Sequence, residues 1–147
     1  MEFELRLKQL NIDLPQLVPP IGNYLHGVLS GNLLFLSGKG PVGSKGKVGG
    51  LVTLEQAKND AFQVGLYLLA AVRSELGTLD KVSRVVKLLG MVNCEPDFEK
   101  HPEVINGCSD LFVDIFGDKG RHARSSVGVN SLPRNITVEI EAIFEVK

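Results

Sequence analysis

The chain has 147 residues, 44% hydrophobic and 22% charged, with 16 Lys+Arg against 17 Asp+Glu and a net charge of −1. These are the proportions of one globular domain able to bury a core of its own, and they exclude collagen, coiled coil or disorder as descriptions of the whole chain. A near-neutral charge with seven Phe, two Tyr and no Trp argues against a general electrostatic nucleic-acid binder.

Phe3, Leu7 and Leu10 recur at helical spacing and predict a short first helix that Pro15 cannot continue. Residues 1–19 thus read as an N-terminal helical extension to a single domain spanning 1–147, with Pro19-Pro20-Ile21-Gly22 as a loop. Asn23–Leu29 and Leu33–Ser37, separated by Ser30-Gly31-Asn32, predict a β-hairpin. Gly38 to Gly50 holds six glycines and reads as a long flexible connection. Thr53-Leu54-Glu55-Gln56 matches a reciprocal capping box, and Ala57, Ala61, Val64, Leu68, Ala71 and Val72 keep a 3.6-residue period up to Gly77. Val82–Asn93, rich in β-branched residues, predicts a strand ended by Pro96. A helix beginning about Pro102 carries Val104, Ile105, Cys108, Leu111, Phe112, Ile115 and Phe116 on one face. Ser125–Val129 predicts a short strand and Ile136–Val146 a last one. In the last strand Val138, Ile140, Ala142, Phe144 and Val146 alternate with Thr137, Glu139, Glu141, Ile143 and Glu145. This order predicts an α+β fold, a mixed sheet with two helices packed on one face plus the short N-terminal helix.

Most site motifs fail their structural context. Gly38-Lys39-Gly40-Pro41-Val42-Gly43 fits G-x-G-x-x-G, but no helix pattern opens at Gly43 and Pro41 removes a backbone donor. Cys94 and Cys108 are too few for a disulfide framework and are expected as reduced, partly buried thiols. His26, His101 and His122 show no metal-ligand spacing. The acidic start, Met1-Glu2-Phe3-Glu4, does not fit a secretory leader. No apolar run approaches the roughly 20 residues that span a bilayer, so a soluble cytoplasmic protein is expected. Two features stay open in both directions. Lys119–Arg124 reads either as a solvated basic turn or as an anion site. The face shared by Glu139, Glu141, Glu145 and Ile143 reads either as a solvated sheet surface or as a subunit interface that desolvates a carboxylate and raises its pKa.

Ala123-Arg124-Ser125-Ser126, Leu132-Pro133 and Glu139-Ile140-Glu141-Ala142 together resemble the RidA/YjgF family, also labelled endoribonuclease L-PSP. Ile21–Gly27, the Ser37-Gly38-Lys39-Gly40-Pro41 turn and Asn106 extend the resemblance in order over Pro20–Val146. It implies a chorismate-mutase-like α+β fold. It also implies a homotrimer with clefts between subunits, and hydrolysis of reactive 2-imino or 2-enamino acids to 2-keto acids and ammonia without cofactor or metal. Carried over by position, Arg124 would grip the substrate carboxylate, Glu139 would orient the attacking water, and Tyr24, Ser37, Asn106 and Ser126 would line the cleft. Each has a plainer alternative: Tyr24 as core, Asn106 as a surface amide, Ser37 satisfying a turn, Arg124 as an ion-pair partner of Glu139. Ser126 stands where many members have cysteine, His122 where many have proline, Lys39 where glutamine is usual, and Gly128 where a larger residue often sits. These departures imply a divergent branch. Two further readings compete with the deaminase: a non-enzymatic binder of carboxylated metabolites, and, with less support, an endoribonuclease or translation inhibitor. No membrane partner is expected.

Overall fold

Helix α1 (Glu2–Gln9) opens the computed structural model, which describes residues 2–147. The remaining elements are β1 (Gly27–Ser30), β2 (Leu33–Lys39), α2 (Leu54–Leu76), β3 (Val82–Asn93), α3 (His101–Phe116), β4 (Ala123–Val129) and β5 (Val138–Val146). The strands form one mixed sheet in the order β1-β2-β5-β3-β4, antiparallel except for the parallel β3–β4 pair. Helices α2 and α3 cover one face, as the α+β reading expects.

The periodicities decide which side chains meet. Ala57, Ala61, Val64, Leu68, Ala71 and Val72 of α2 are all buried, as are Val104, Ile105, Cys108 and Phe112 of α3. They close on the alternating face of β5, where Val138, Ile140, Ala142, Phe144 and Val146 are buried in turn. The two helices cross closely because Gly107 has no side chain: a Cβ there would lie 2.1 Å from the Lys58 carbonyl oxygen. Helix α1 is held by the Asp80 carboxylate, which accepts from the Phe3 and Glu4 N–H groups at 2.8 and 3.1 Å, and by Phe3 packed edge-on against Phe116.

Several local expectations are corrected. The hairpin loop is the two residues Gly31-Asn32, with Gly31 at φ 62, as a turn demanding a left-handed first central residue requires. Pairing of β1 stops at Gly27, so residues 23–26 are not strand. They belong to a strap over residues 10–26, of which Leu10, Ile12, Leu14 and Leu17 pack on the core. Gln56 does not complete a reciprocal capping box. Its N–H donates to Thr53 Oγ1 at 3.1 Å, but its amide side chain donates to Asp60 Oδ1 at 3.0 Å.

The glycine-rich stretch is docked rather than a loose connection. Val48 is buried, its N–H donates to the Asn93 carbonyl at 2.8 Å, and its carbonyl accepts from the Glu95 N–H at 3.0 Å. Thr137 is not on an exposed strand face. It is buried, and its hydroxyl donates to Asp60 Oδ2 at 2.7 Å, while Ser44 donates to Asp60 Oδ1 at 2.9 Å. The buried Asp60 carboxylate thereby ties α2, the glycine-rich stretch and the start of β5 into one corner. No helix of the described residues is long and apolar enough to cross a membrane.

Candidate functional site

Cross-strand partners share a face of the sheet. One row runs Gly27, Leu36, Ala142, Leu88, Arg124 across all five strands, on the face covered by the helices. Arg124 is thus the outermost member of a core row, carried by an edge strand that begins two residues earlier than the sequence suggests. This rules out a simple solvated turn for Arg124. Glu139 lies in another row, with Met91 and Val127, on the open face. The two residues sit on strands flanking β3 on opposite sides. Two strand spacings, roughly 10 Å, and the sheet itself separate them. An ion pair between Arg124 and Glu139 of one chain is therefore excluded.

The six site residues predicted from sequence fall into two groups. Arg124, Asn106 and Ser126 form the first. Arg124 Nη1 donates to Asn106 Oδ1 at 2.7 Å and to Ser109 Oγ at 3.0 Å. Asn106 is thus a partner of the guanidinium and not a free surface amide. Ser109 and its neighbour His122 were not among the predicted site residues. His122 Nδ1 must donate to the Gly120 carbonyl (2.6 Å), since a carbonyl can only accept. Its Nε2 is then an acceptor for the Ser109 hydroxyl (2.9 Å), which leaves the Ser109 oxygen lone pairs for Arg124. Burial first, with the Arg124 charge also acting, holds the His122 pKa below its ordinary value and keeps the ring in the neutral form this chain requires.

The guanidinium spends Nη1 on neutral oxygens and keeps its Nε/Nη2 edge, the geometry that grips a carboxylate through two bonds. No described carboxylate pairs with it. Ser126 follows on the same face, its buried Oγ without a hydrogen-bond partner among the described residues.

Tyr24, Ser37 and Glu139 form the second group and line one cavity of about 880 Å³, in the size range of small-molecule sites. Tyr24 is 44% exposed and is not core. Ser37 does what its plainer reading proposed: its hydroxyl donates to the Leu25 carbonyl at 2.5 Å and its N–H to the His26 carbonyl at 2.9 Å, pinning the strap over the cavity. The Glu139 carboxylate lies against β2 because Gly38 has no side chain, a Cβ there standing 2.5 Å from Oε2. Two glycines of the G-x-G-x-x-G match thus serve close packing, Gly40 likewise giving way to Ile136, while the third, Gly43, takes a left-handed φ of 100. Glu139 has neither a hydrogen bond nor an ion pair among the described residues. Burial, and secondarily the Glu141 charge, raise its pKa above the ordinary carboxylate value.

The cavity wall also holds strained backbone. Arg134, which lines the cavity, and the adjacent Asn135 have φ of 55 and 59; for Arg134 this conformation costs roughly 1–2 kcal/mol, whereas asparagine adopts it readily. Lys45 Nζ donating to the Arg134 carbonyl (2.9 Å) and the Gly46 N–H donating to the Asn135 carbonyl (2.9 Å) hold them there. Among the described residues no cluster of three or more His, Cys, Asp or Glu is placed to hold a metal ion. Cys94 and Cys108 are free and buried, and burial raises both thiol pKa values, far upward for Cys108.

A family model described as Endoribonuclease L-PSP matches residues 15–146. A Trypanosoma cruzi protein named Protein TCP17 is 40% identical over 145 residues, covering 95% of this chain and 91% of its own. A 2-iminobutanoate/2-iminopropanoate deaminase of Dermatophagoides farinae is 31% identical over 136 residues, covering 92% and 95%. Among solved structures, the Agrobacterium tumefaciens protein Atu1372 superposes with a TM-score of 0.90 at 41% identity, over 99% of this chain and 94% of that one.

Proposed function

The chain belongs to the RidA/YjgF family, whose model bears the description endoribonuclease L-PSP, and from that premise we propose that it hydrolyses reactive 2-imino acids to 2-keto acids and ammonia at a site shared by two copies of the chain. The observation that carries this reading is the division just described. One copy offers a half-buried carboxylate in a cavity, and the opposite side of the sheet offers a guanidinium with its bidentate edge free. Each lacks a partner of opposite charge among the described residues of its own chain. A closed homo-oligomer with a head-to-tail interface brings two such unlike surfaces together.

The open sheet face supports association. The row Val28, Phe35, Ile143 crosses three strands, with Val28 53% and Phe35 42% exposed, and Val127 at 42% extends the apolar character to β4. A homotrimer with the sheets turned inward is the arrangement the family suggests.

In this reading Arg124 of one copy takes the substrate carboxylate through Nε and Nη2, with Asn106 and Ser109 fixing the plane of the guanidinium. Glu139 of the next copy accepts a proton from a water molecule as its oxygen adds to the C=N carbon. Glu139 returns that proton to the nitrogen, which completes the carbinolamine; it then takes the hydroxyl proton and passes it to the nitrogen as the C–N bond breaks, so that ammonia leaves and the carbonyl forms. Imine plus water thus become keto acid plus ammonia, with no redox change. A carboxyl group whose pKa is raised toward neutrality serves both halves of this proton shuttle. Ser126 Oγ and Tyr24 are the remaining polar groups of the cleft.

The test is a coupled assay in which threonine dehydratase generates the imine and keto-acid appearance is followed. Addition of the protein accelerates the final step over spontaneous hydrolysis. A rate equal to the spontaneous one overturns the enzyme reading, and thermal stabilisation by keto acids without turnover would mark a binder instead.

A further inference from the structure

Lys39 ends β2, in register with Ile140, and its half-buried side chain lines the cavity that holds Glu139. The partner of its amino group is His26 Nδ1. The other nitrogen of that ring, Nε2, donates to the Val18 carbonyl at 2.7 Å, and because an ammonium can only donate, Nδ1 serves Lys39 as an acceptor lone pair and not as a counter-ion. No described carboxylate forms an ion pair with the ammonium. The cavity lining counts three cations, Lys39, Lys45 and Arg134, against the single carboxylate of Glu139.

A half-buried charge without a counter-ion is unfavourable, and an anion entering the cavity removes that penalty. Burial lowers the Lys39 pKa, as expected of an ammonium short of anionic company. Arg134 stands at the same wall on the strained left-handed backbone described above. Strain held in place by neighbouring contacts is a feature that clusters at ligand sites.

We propose that the cavity selects imines whose side chain bears a second carboxylate, the 2-imino dicarboxylates derived from acidic amino acids, with Lys39 binding the distal carboxylate and Arg134 supporting it from the wall. This rests on the shared-site reading, in which Arg124 of the neighbouring copy already accounts for the carboxylate next to the imine carbon. The cations of this cavity are then surplus to that need. Glutamine, usual at the position of Lys39 in the family, would offer no such charge.

The experiment has a turnover arm and a binding arm. Imines are generated by amino-acid oxidases from an acidic and from an aliphatic amino acid. The intact protein shows a kcat/KM about tenfold or more higher for the acidic imine, and Lys39→Gln lowers that ratio by about tenfold. Arg134→Gln lowers it less. In the binding arm, 2-oxoglutarate raises the melting temperature more than 2-oxobutanoate at equal concentration, and Lys39→Gln removes the difference.

A wild-type protein without preference, or a preference that Lys39→Gln leaves intact, overturns the inference while the hydrolase reading stands. No acceleration of either imine overturns the hydrolase reading. In that event, selective stabilisation by 2-oxoglutarate that is lost in Lys39→Gln still upholds an anion site at Lys39, and its absence overturns both.

Discussion

Arg124→Ala lowers kcat/KM for imine hydrolysis by about a hundred- to ten-thousandfold. Two charge-assisted hydrogen bonds to a carboxylate are lost together, each contributing roughly 1.5–3 kcal/mol. The substrate carboxylate is present before, during and after water addition, so most of the loss falls on KM rather than kcat. Arg124→Lys recovers only part of it, since an ammonium is a point charge that cannot reach Asn106, Ser109 and a bidentate ligand at once. Steady-state kinetics on both variants, with circular dichroism to confirm folding, check this. Wild-type KM in Arg124→Ala would remove the residue from substrate binding.

Glu139→Gln has the opposite kinetic signature. The amide keeps the size of the carboxyl group but cannot take a proton, so kcat falls by about a hundredfold or more while KM changes little. The same substitution stabilises the fold at neutral pH. The sign follows from the raised pKa of Glu139: the folded state binds its proton more tightly than the unfolded state does. Stability therefore falls as pH rises through the window from the ordinary carboxylate value to the raised one, and the loss remains above it. The substituted amide is never ionised and escapes that loss. Thermal melts show Glu139→Gln above wild type at neutral pH, with the gap closing below the ordinary carboxylate range. In the wild type, kcat/KM rises with pH along a limb displaced upward from that of an unperturbed glutamate. A variant of unchanged kcat would leave Glu139 without a role in proton transfer.

How much of this was legible in the sequence differs by element. The strict period of α2 and the alternation of β5 each place a whole face, because burial of one side chain fixes its neighbours at the same spacing. Strand β4 carries no such signal. Its helix-facing positions are Arg124, Ser126 and Gly128, while Val127 points to the open face. A pattern reader would turn the valine inward. The structure does the reverse because β4 is an edge strand whose inner side meets the polar positions Asn106 and Ser109 of α3.

Those two residues, three apart on an otherwise apolar helix face, were the available clue to Ser109. For His122 the sequence showed only its place two residues before Arg124 in the stretch Lys119–Arg124, because its hydrogen bonds depend on the turn at Gly120. The separation of Arg124 from Glu139 was also hidden. It depends on β3 lying between β4 and β5, a pairing among strands distant in sequence. The docking of the glycine-rich stretch rests likewise on Asn93 and Asp60, which sequence alone does not connect to it.

The most direct test mixes the two damaged proteins. Arg124→Ala and Glu139→Gln chains, each nearly inactive alone, are unfolded, combined in equal amounts and refolded together. If each site takes its cation from one copy and its carboxylate from the next, random assembly rebuilds intact pairs at about a quarter of the sites, and about a quarter of wild-type activity returns. A mixture that forms hetero-oligomers yet stays as inactive as its parents would contradict a site shared between chains.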